Sequence, residues 1–155
     1  MKIKLVFPGE PKAIQSFKIA NIGGFIRKYQ PKVNTDWKGY IKQSAISQLP
    51  ELWEPINKAI RINKLIFAFT PIASLSKDFK KAIENGDYVT KDTKPDMSDN
   101  LAKGLMDALE GIIYTNDSRI SWSDKIRRVY HKRPRIEIEF ETIESYIIPK
   151  ELIES

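Results

Sequence analysis

The sequence predicts an α+β fold in which a mixed β-sheet of about four to six strands packs against two main helices. Three observations lead to this prediction. β-Prone runs occur near the beginning, in the middle and near the end of the chain, and two segments between them repeat apolar residues at spacings of three and four. The 155 residues contain no internal repeat or linker-like stretch. A chain of this length fits one compact domain, so we treat residues 1–155 as a single unit.

The first third of the chain predicts one strand and one helix, separated by a long connection. Lys2 to Phe7 mixes lysines with apolar residues before Pro8-Gly9, which is typical of a short strand that ends in a turn. Residues 9–34 scatter prolines, glycines and basic residues without periodicity, which predicts a long loop or an irregular hairpin. A helix is predicted from Asp36 to about Pro50, on the apolar positions Trp37, Tyr40, Ile41, Ala45 and Leu49.

The middle third predicts the best-buried strand and the second main helix. Ile60 to Phe69 begins as an alternation and becomes a continuous β-prone run, as in a central strand covered on both faces. Lys77 to Glu84 is a short helix that Asn85-Gly86 closes. The second main helix runs from Ser98 or Asp99 to Glu110, and Gly111 stops it. Its apolar stripe consists of Leu101, Leu105, Ala108 and Leu109.

The last third predicts further strands and an antiparallel hairpin. Residues 112–114 form a strand that returns beside the helix and leads to a polar turn containing Asp117. Lys125 to His131 and Arg135 to Thr142 form the hairpin, because apolar residues alternate with glutamates in the second run. The apolar residues after Ile143 indicate either another strand or a segment that docks a partner. Trp37, Tyr40, Phe67 and Phe69 are expected in the core, with Tyr88 and Trp122 exposed.

Composition excludes several classes of site. The chain has 26 lysines and arginines against 20 aspartates and glutamates, a net charge of +6, which favours polyanionic partners. It has no cysteine and one histidine, His131, which we place at the surface or in a turn. Disulfides, thiolate nucleophiles and histidine-rich metal sites are therefore excluded, and any metal must bind oxygen ligands. The longest apolar run, Leu65 to Phe69, is too short to cross a bilayer, so we expect a soluble cytoplasmic protein.

The second main helix carries the candidate chemistry. Asp99, Lys103 and Asp107 are spaced four and four and lie along one helical face. Asp96 precedes the helix and Asp117 follows the returning strand, so both can converge on the helix N-terminus. Magnesium prefers hard oxygen ligands and is usually held by one or two carboxylates together with substrate phosphate. The lysine can neutralise charge that develops on a phosphate, and Asn100 can orient a carboxylate.

Each of these residues also has an ordinary structural interpretation. Asp99, like Asp96 or Ser98, is a common helix N-cap. Lys103 beside two aspartates can be a surface ion pair worth only about 0.3–0.5 kcal/mol. Asn116-Asp117 is a frequent turn pair. The basic residues from Arg127 to Arg135 can face DNA phosphates, or the glutamates of the next strand, Glu137, Glu139 and Glu141, can pair with them.

A specific run of residues resembles a known family. Lys94-Pro95-Asp96, Asp99-Asn100-Leu101, Lys103, Asp107-Ala108-Leu109, Gly111 and Asn116-Asp117-Ser118-Arg119-Ile120 are similar to the motif of the RusA-type Holliday junction resolvases. The match is close over about 27 residues and looser over most of the chain. Phe7 to Lys12, followed by Gln15 to Lys18, also resembles the opening region of the family.

The resemblance implies a small homodimeric endonuclease of bacteria, phages or prophages that cuts four-way DNA junctions by paired symmetric nicks with Mg²⁺ or Mn²⁺. It places the catalytic residues on Asp96, Asp99, Lys103 and Asp117, and the metal ligands on the three aspartates. One residue is inserted between the first two aspartates, where this chain has Met97 and Ser98. Asn100 and Asp107 are possible supporting residues. Expected DNA contacts are Lys18, Arg27, Lys28, Lys94, Arg119, Arg127 and Arg128.

Two other functions remain open from the sequence. The same site would serve a nuclease that prefers flaps or forks to four-way junctions. Alternatively, the inserted residue between Asp96 and Asp99 removes metal binding and leaves a junction-binding protein without catalysis. Cleavage assays on different branched DNAs distinguish a flap or fork nuclease from a junction resolvase. A metal titration distinguishes a junction-binding protein without catalysis from a metal-dependent nuclease.

Overall fold

The computed structural model of the chain describes residues 1–13, 18–29, 32–95 and 101–155. It contains eight strands and four α-helices in these ranges. The strands are β1 Lys2–Pro8, β2 Lys18–Ile22, β3 Phe25–Tyr29, β4 Ile60–Phe69, β5 Val89–Thr90, β6 Ile120–Ser123, β7 Ile126–Tyr130 and β8 Arg135–Thr142. The helices are α1 Lys32–Gln48, α2 Lys77–Glu84, α3 Lys103–Leu109 and α4 Lys150–Glu154.

Six of the strands form one mixed sheet, as the sequence predicts for an α+β fold. The main strand order is β1-β8-β4-β7-β5, and β6 pairs with the beginning of β4. β4 is antiparallel to β8 and parallel to both β6 and β7. β4 is therefore the central strand, and its predicted bounds, Ile60 to Phe69, are confirmed.

The core lies between one face of the sheet and the helices α1 and α3; we call this the inner face. Ile62, Leu65 and Phe67 of β4 point into it, together with Leu5 and Phe7 of β1. The helices contribute their apolar stripes, which in α1 are Trp37, Ile41 and Ala45 and in α3 are Leu105, Ala108 and Leu109. These side chains are almost completely buried, so the inner face supplies most of the hydrophobic stabilisation.

The other face of the sheet, the outer face, is mainly charged. Glu137 of β8 lies 2.8 Å from Nε of Arg135, 3.4 Å from Nζ of Lys64 and 4.0 Å from Nζ of Lys4. Only a small apolar cluster of Ile66, Ala68 and Val129 is buried beside this network. The prediction that β4 is apolar on both faces therefore holds for its second half alone.

The strands β2 and β3 form a separate two-stranded sheet. The sequence predicts either a long loop or an irregular hairpin for residues 9–34, and the described part of this region contains a hairpin. Gly23 and Gly24 at its turn have φ values of +60° and +85°. Two consecutive positive φ angles are the mark of a type I′ hairpin turn, which glycine adopts without steric cost.

Three predictions about secondary structure are wrong. Strands β7 and β8 do not form a hairpin, because β4 lies between them and pairs with both. Residues 112–114 form a turn, since the amides of Ile112 and Ile113 donate back to the Leu109 carbonyl. α1 begins at Lys32 rather than at Asp36. By contrast, α2 has its predicted bounds, and Ser76 caps it by accepting from the Phe79 amide at 3.2 Å.

Three aromatic positions also differ from expectation. His131 is buried rather than superficial: its ring stacks on Tyr88 with centroids 4.2 Å apart, and its Nδ1 accepts from the Arg133 amide. Tyr40 is exposed rather than in the core, and its hydroxyl donates to the Pro8 carbonyl at 2.5 Å. Trp122 is half-buried under the Arg61 guanidinium.

The segment that follows β8 neither adds a strand nor packs into the core. It ends in the short helix α4, in which no residue is buried. Its apolar side chains Tyr146, Ile147, Leu152 and Ile153 are all more than 60% exposed. In the described part of the chain, no helix is long and apolar enough to cross a membrane.

Candidate active site

Helix α3 presents the lysine and one aspartate of the predicted site on its outward side. Lys103 is the first residue of α3 and is exposed, and Asp107 lies one turn later and is half-buried. The opposite side of the helix carries the buried leucines of the core. The carboxylate of Asp107 lies 4.0 Å from the ammonium group of Lys38 on α1. Asp107 therefore links the two helices that cover the inner face.

The chain turns back sharply after α3 and brings Asp117 towards the end of that helix. Gly111 has a φ of +81° and its amide donates to the Tyr114 carbonyl at 2.7 Å. Asp117 begins a single 3₁₀ turn, Asp117–Arg119, and its amide donates to Oε1 of Glu110 at 3.1 Å. Asn116 caps the same turn by accepting from the Ser118 amide. The acidic turn is thus fastened to Glu110 at the C-terminal end of α3, and not at the N-terminus where the sequence predicts Asp117. It follows the turn at residues 112–114 and not a strand.

Tyr114 shows that the carboxylates of this region share one neighbourhood. The tyrosine is fully buried, and its hydroxyl donates to the Met106 carbonyl at 2.6 Å. Burial raises the pKa of Tyr114, and the negative charges of Asp117, Glu110 and Asp107 raise this pKa further. The three carboxylates are therefore electrostatic neighbours of a single buried phenol that stays protonated.

The segment that leads into the first predicted aspartates is held by β7. Nη1 of Arg128 donates to the carbonyl of Thr93 and, at 2.6 Å, to that of Pro95. Arg128 lies on the inner side of β7, whereas its neighbour Arg127 lies on the outer side and is exposed. Lys91 is buried and donates to Oγ1 of Thr93 at 2.7 Å. Arg128 thus holds the backbone immediately before Asp96, and Lys91 holds the Thr93 side chain.

Asp96, Asp99 and Asn100 lie outside the described residues. Their roles, and with them the metal site on Asp96, Asp99 and Asp117, remain predictions. Within the described part of the chain, no three carboxylate or histidine side chains meet as a group that can hold a metal ion. What the structure does describe is the scaffold on both sides of them: the anchored segment 93–95 before, and α3 with the Asp117 turn after.

Comparison with known proteins identifies the family. The model of the endodeoxyribonuclease RusA family matches residues 8–141, which is most of the chain. The chain belongs to the RusA family. A relative in Bacillus subtilis (strain 168), the uncharacterized protein YqaN, is 29% identical over 138 residues, which cover 88% of this chain and 93% of that protein. The family is one of endodeoxyribonucleases, which supports a nuclease activity for this member.

The predicted DNA contacts of this RusA-family protein fall in separate places. Arg27 and Lys28 are exposed on β3, while Lys18 begins β2 and its side chain lies outside the described set. Lys94 is exposed within the anchored segment 93–95. Arg119 lines a surface cavity of about 300 Å³ together with Trp122 and Tyr146. The assignments of these residues, and of Arg127, to DNA binding remain predictions.

The structure adds residues that the sequence did not single out for this RusA-family site. Glu110 was regarded only as the end of a helix, yet its carboxylate fixes the Asp117 turn. Arg128 was assigned to DNA, yet its guanidinium binds the backbone before Asp96. Tyr114 was read as part of a strand. No sequence signal marks these roles, because each depends on a contact between distant elements, except that Glu110 directly precedes the helix-stopping Gly111.

Proposed function

We propose that this RusA-family protein is a metal-dependent endodeoxyribonuclease that resolves four-way DNA junctions by paired symmetric nicks. The observation that carries the proposal is the convergence of α3 and the Asp117 turn. Lys103 and Asp107 lie on the outward side of α3, and Glu110 fastens Asp117 to the end of the same helix. Family membership supports DNA as the substrate.

The donor set fits magnesium or manganese. The chain has no cysteine, and its one histidine is buried and hydrogen-bonded to backbone groups away from this site. Every available ligand near Asp117 is therefore a hard oxygen, which is the type that Mg²⁺ prefers. In the proposal, Asp96, Asp99 and Asp117 hold the ion, and when bound it supplies an activated water and neutralises phosphate charge.

The protein side chains perform the remaining steps. Lys103, exposed at the first turn of α3, is placed to stabilise negative charge that develops on the phosphate during in-line attack. Asp107 positions α3 against α1 through Lys38 and does not need to bind the metal. Arg128 keeps the backbone before Asp96 in place.

A homodimer would suit the substrate. A four-way junction has approximate two-fold symmetry, so two copies related by a two-fold axis can present equal active sites to opposed strands. Recognition would be mainly through phosphates, which agrees with the net charge of +6. Light scattering of the purified protein tests the dimer directly.

The decisive experiment is a nicking assay on a synthetic four-way junction, with and without Mg²⁺ or Mn²⁺. We expect paired nicks that depend on the metal, and a loss of about 10²-fold or more in cleavage for Asp117→Asn and for Asp99→Asn. Asp87→Asn is the matched control, because Asp87 is an exposed aspartate in the turn after α2. Full activity of Asp117→Asn would contradict the assignment of Asp117 to the active site. Equal or faster cutting of flaps or linear duplex would contradict the four-way junction as the substrate.

A second variant assigns the role of the lysine. Lys103→Ala should reduce the maximal cleavage rate by about 10²-fold while junction binding changes little, since the ammonium group is expected to act in the transition state. An equal loss of binding and cleavage would make Lys103 a DNA-binding residue instead. Calorimetric titration of Mg²⁺ into wild type and Asp99→Asn separates an intact metal site from one that the residue inserted after Asp96 has disabled.

A further inference from the structure

The β2–β3 hairpin, residues 18–29, forms a two-stranded sheet of its own with an apolar tip; we call it the arm. Phe25 and Ile26 directly follow its Gly23-Gly24 turn and are 69% and 75% exposed. Adjacent residues of a strand point to opposite faces, so both faces of the tip are open to solvent. Neither side chain contributes to the core of the domain. Two large apolar residues exposed next to the turn of a hairpin favour insertion into a partner.

The charge around this tip identifies the chemistry of the partner. Residues 11–35 contain five lysines and arginines and no aspartate or glutamate. The rest of the chain then has 21 basic and 20 acidic residues, so the segment containing the arm accounts for almost all of the net charge of +6. Arg27 and Lys28 lie on opposite faces of β3 and are both exposed. A ribbon with cations on both faces fits between two polyanionic strands better than against one flat surface.

We propose that the arm reads the branch point of DNA: Arg27 and Lys28 contact phosphates of two adjoining duplex arms, and Phe25 and Ile26 wedge against the unstacked bases at their junction. The inference rests on the proposed function and extends it from cutting to the selection of branched DNA. Apolar side chains that wedge between base steps are a known means of holding distorted DNA, and stacking on an aromatic ring tolerates any base. A strand of five residues spans about 17 Å, which is enough for the arm to contact several successive phosphates.

The arrangement explains why the hairpin turn is built from two glycines. A type I′ turn keeps the two strands closely paired up to the last residue pair, Ile22 and Phe25. The tip is therefore narrow, and Phe25 and Ile26 are presented at the end of a ribbon and not on a broad loop. A longer or looser turn would present Phe25 and Ile26 on a broader tip.

The test uses a four-way junction with 2-aminopurine beside the branch point, in buffer without divalent metal so that binding is measured apart from cleavage. Wild type should increase the 2-aminopurine emission by unstacking the base. Phe25→Ala with Ile26→Ala should lose this increase and weaken junction binding about tenfold, with linear duplex binding within about twofold of wild type. Arg27→Gln with Lys28→Gln should weaken binding to both DNAs and reduce its salt dependence.

Leu152→Ala with Ile153→Ala is the matched control, because it removes two similarly exposed apolar side chains from α4, which lies outside the residues matched by the family. It should retain the wild-type emission and affinity. Unchanged emission and junction affinity in the Phe25 and Ile26 variant would overturn the proposal. Conversion of a wild-type dimer to a monomer by that variant would also overturn it, by making the arm a protein interface. A wild type that shows the emission increase but never cuts would overturn only the nuclease function.

Discussion

The two faces of the main sheet are built from the same strands but have different roles. On β8, Ile136, Ile138 and Phe140 enter the core under α1 and α3, whereas Glu137 and Glu139 between them point to the outer face. The inner face also carries Arg128 and the helix with Lys103 and Asp107. The outer face carries ion pairs around Glu137. The buried apolar residues that stabilise the fold and the residues of the proposed active site therefore lie on the same face of the sheet. The other face is stabilised mainly by ion pairs.

Substitutions of adjacent residues in one strand are therefore expected to have unrelated effects. A substitution on the inner face removes packing or displaces the anchored segment before Asp96. A substitution on the outer face acts mainly on charged side chains, and where these are exposed each contributes little. Pairs of neighbouring variants on β8 and β7 test this division directly.

The largest expected difference is between Ile138→Ala and Glu139→Ala. Ile138 is completely buried, so its truncation removes apolar contacts and leaves a cavity, with an expected loss of about 2–5 kcal/mol in the free energy of unfolding. Glu139 is half-buried on the outer face, and its truncation should change this free energy by less than about 0.5 kcal/mol. Urea unfolding monitored by circular dichroism measures both. Similar losses for the two variants would contradict the division of the sheet.

The next difference separates Arg128 from Arg127. Arg128→Gln removes the donors to the Thr93 and Pro95 carbonyls, so the segment before Asp96 should shift and the maximal cleavage rate should fall about 10–100-fold. Arg127→Gln should leave this maximal rate within about twofold and alter only the DNA concentration that half-saturates the enzyme. Single-turnover cleavage at saturating and limiting junction concentrations distinguishes them. Equal maximal rates for the two variants would remove Arg128 from the positioning role.

The smallest effect is expected from Glu137 and depends on pH. Burial raises the pKa of Glu137, but the hydrogen bond and charge of Arg135 and the charges of Lys4 and Lys64 outweigh it and leave this pKa below its usual value. A carboxyl whose pKa is lower in the folded protein stabilises it at pH values above the unfolded pKa, about 4.3. That contribution disappears as pH falls through the lower folded value.

Glu137→Gln should therefore lose about 0.5–1 kcal/mol of unfolding free energy at pH 7 relative to wild type. This difference should shrink as pH falls below the unfolded pKa of about 4.3 and vanish once pH is below the lower folded pKa. Thermal unfolding of both proteins from pH 7 to pH 3 measures it. Glu144→Gln is the control: the Glu144 side chain is 72% exposed beside Lys58, and its replacement should have almost no effect. A difference between Glu137→Gln and wild type that persists unchanged to pH 3 would show that the lost charge is not its cause.

The elements that the sequence predicts well are those whose pattern is local. β4, α2 and β8 have the predicted bounds, because alternation, capping by Ser76 and the Asn85-Gly86 stop lie within each segment. The motif from Lys94 to Ile120 also identifies the RusA family, since its spacing is contiguous. Such features require no knowledge of distant contacts.

The errors arise where distant segments meet. The prediction of a β7–β8 hairpin is wrong because β4 lies between the two strands in the sheet, although it precedes them by more than fifty residues in the chain. The prediction that His131 lies at the surface or in a turn is wrong because Tyr88 and Gly86, which follow α2, cover its ring. The role of Glu110 was missed because its contact with the Asp117 amide forms only once the chain has turned at Gly111. Tertiary packing determines each of these outcomes, and the periodicity of a local segment carries no information about contacts with distant segments.

The position of β1 has a consequence for the order in which the protein can fold. Among the described strands β1 pairs only with β8, so the first strand of the sheet to be synthesised can be incorporated only after the last one has left the ribosome. Until then β4 also lacks its antiparallel neighbour. Long-range pairing of this kind slows folding and leaves the sheet without β1 and β8 until translation of residues 135–142 is complete. A nascent chain interrupted before residue 135 should therefore be a target for chaperones or proteases and not a smaller working nuclease.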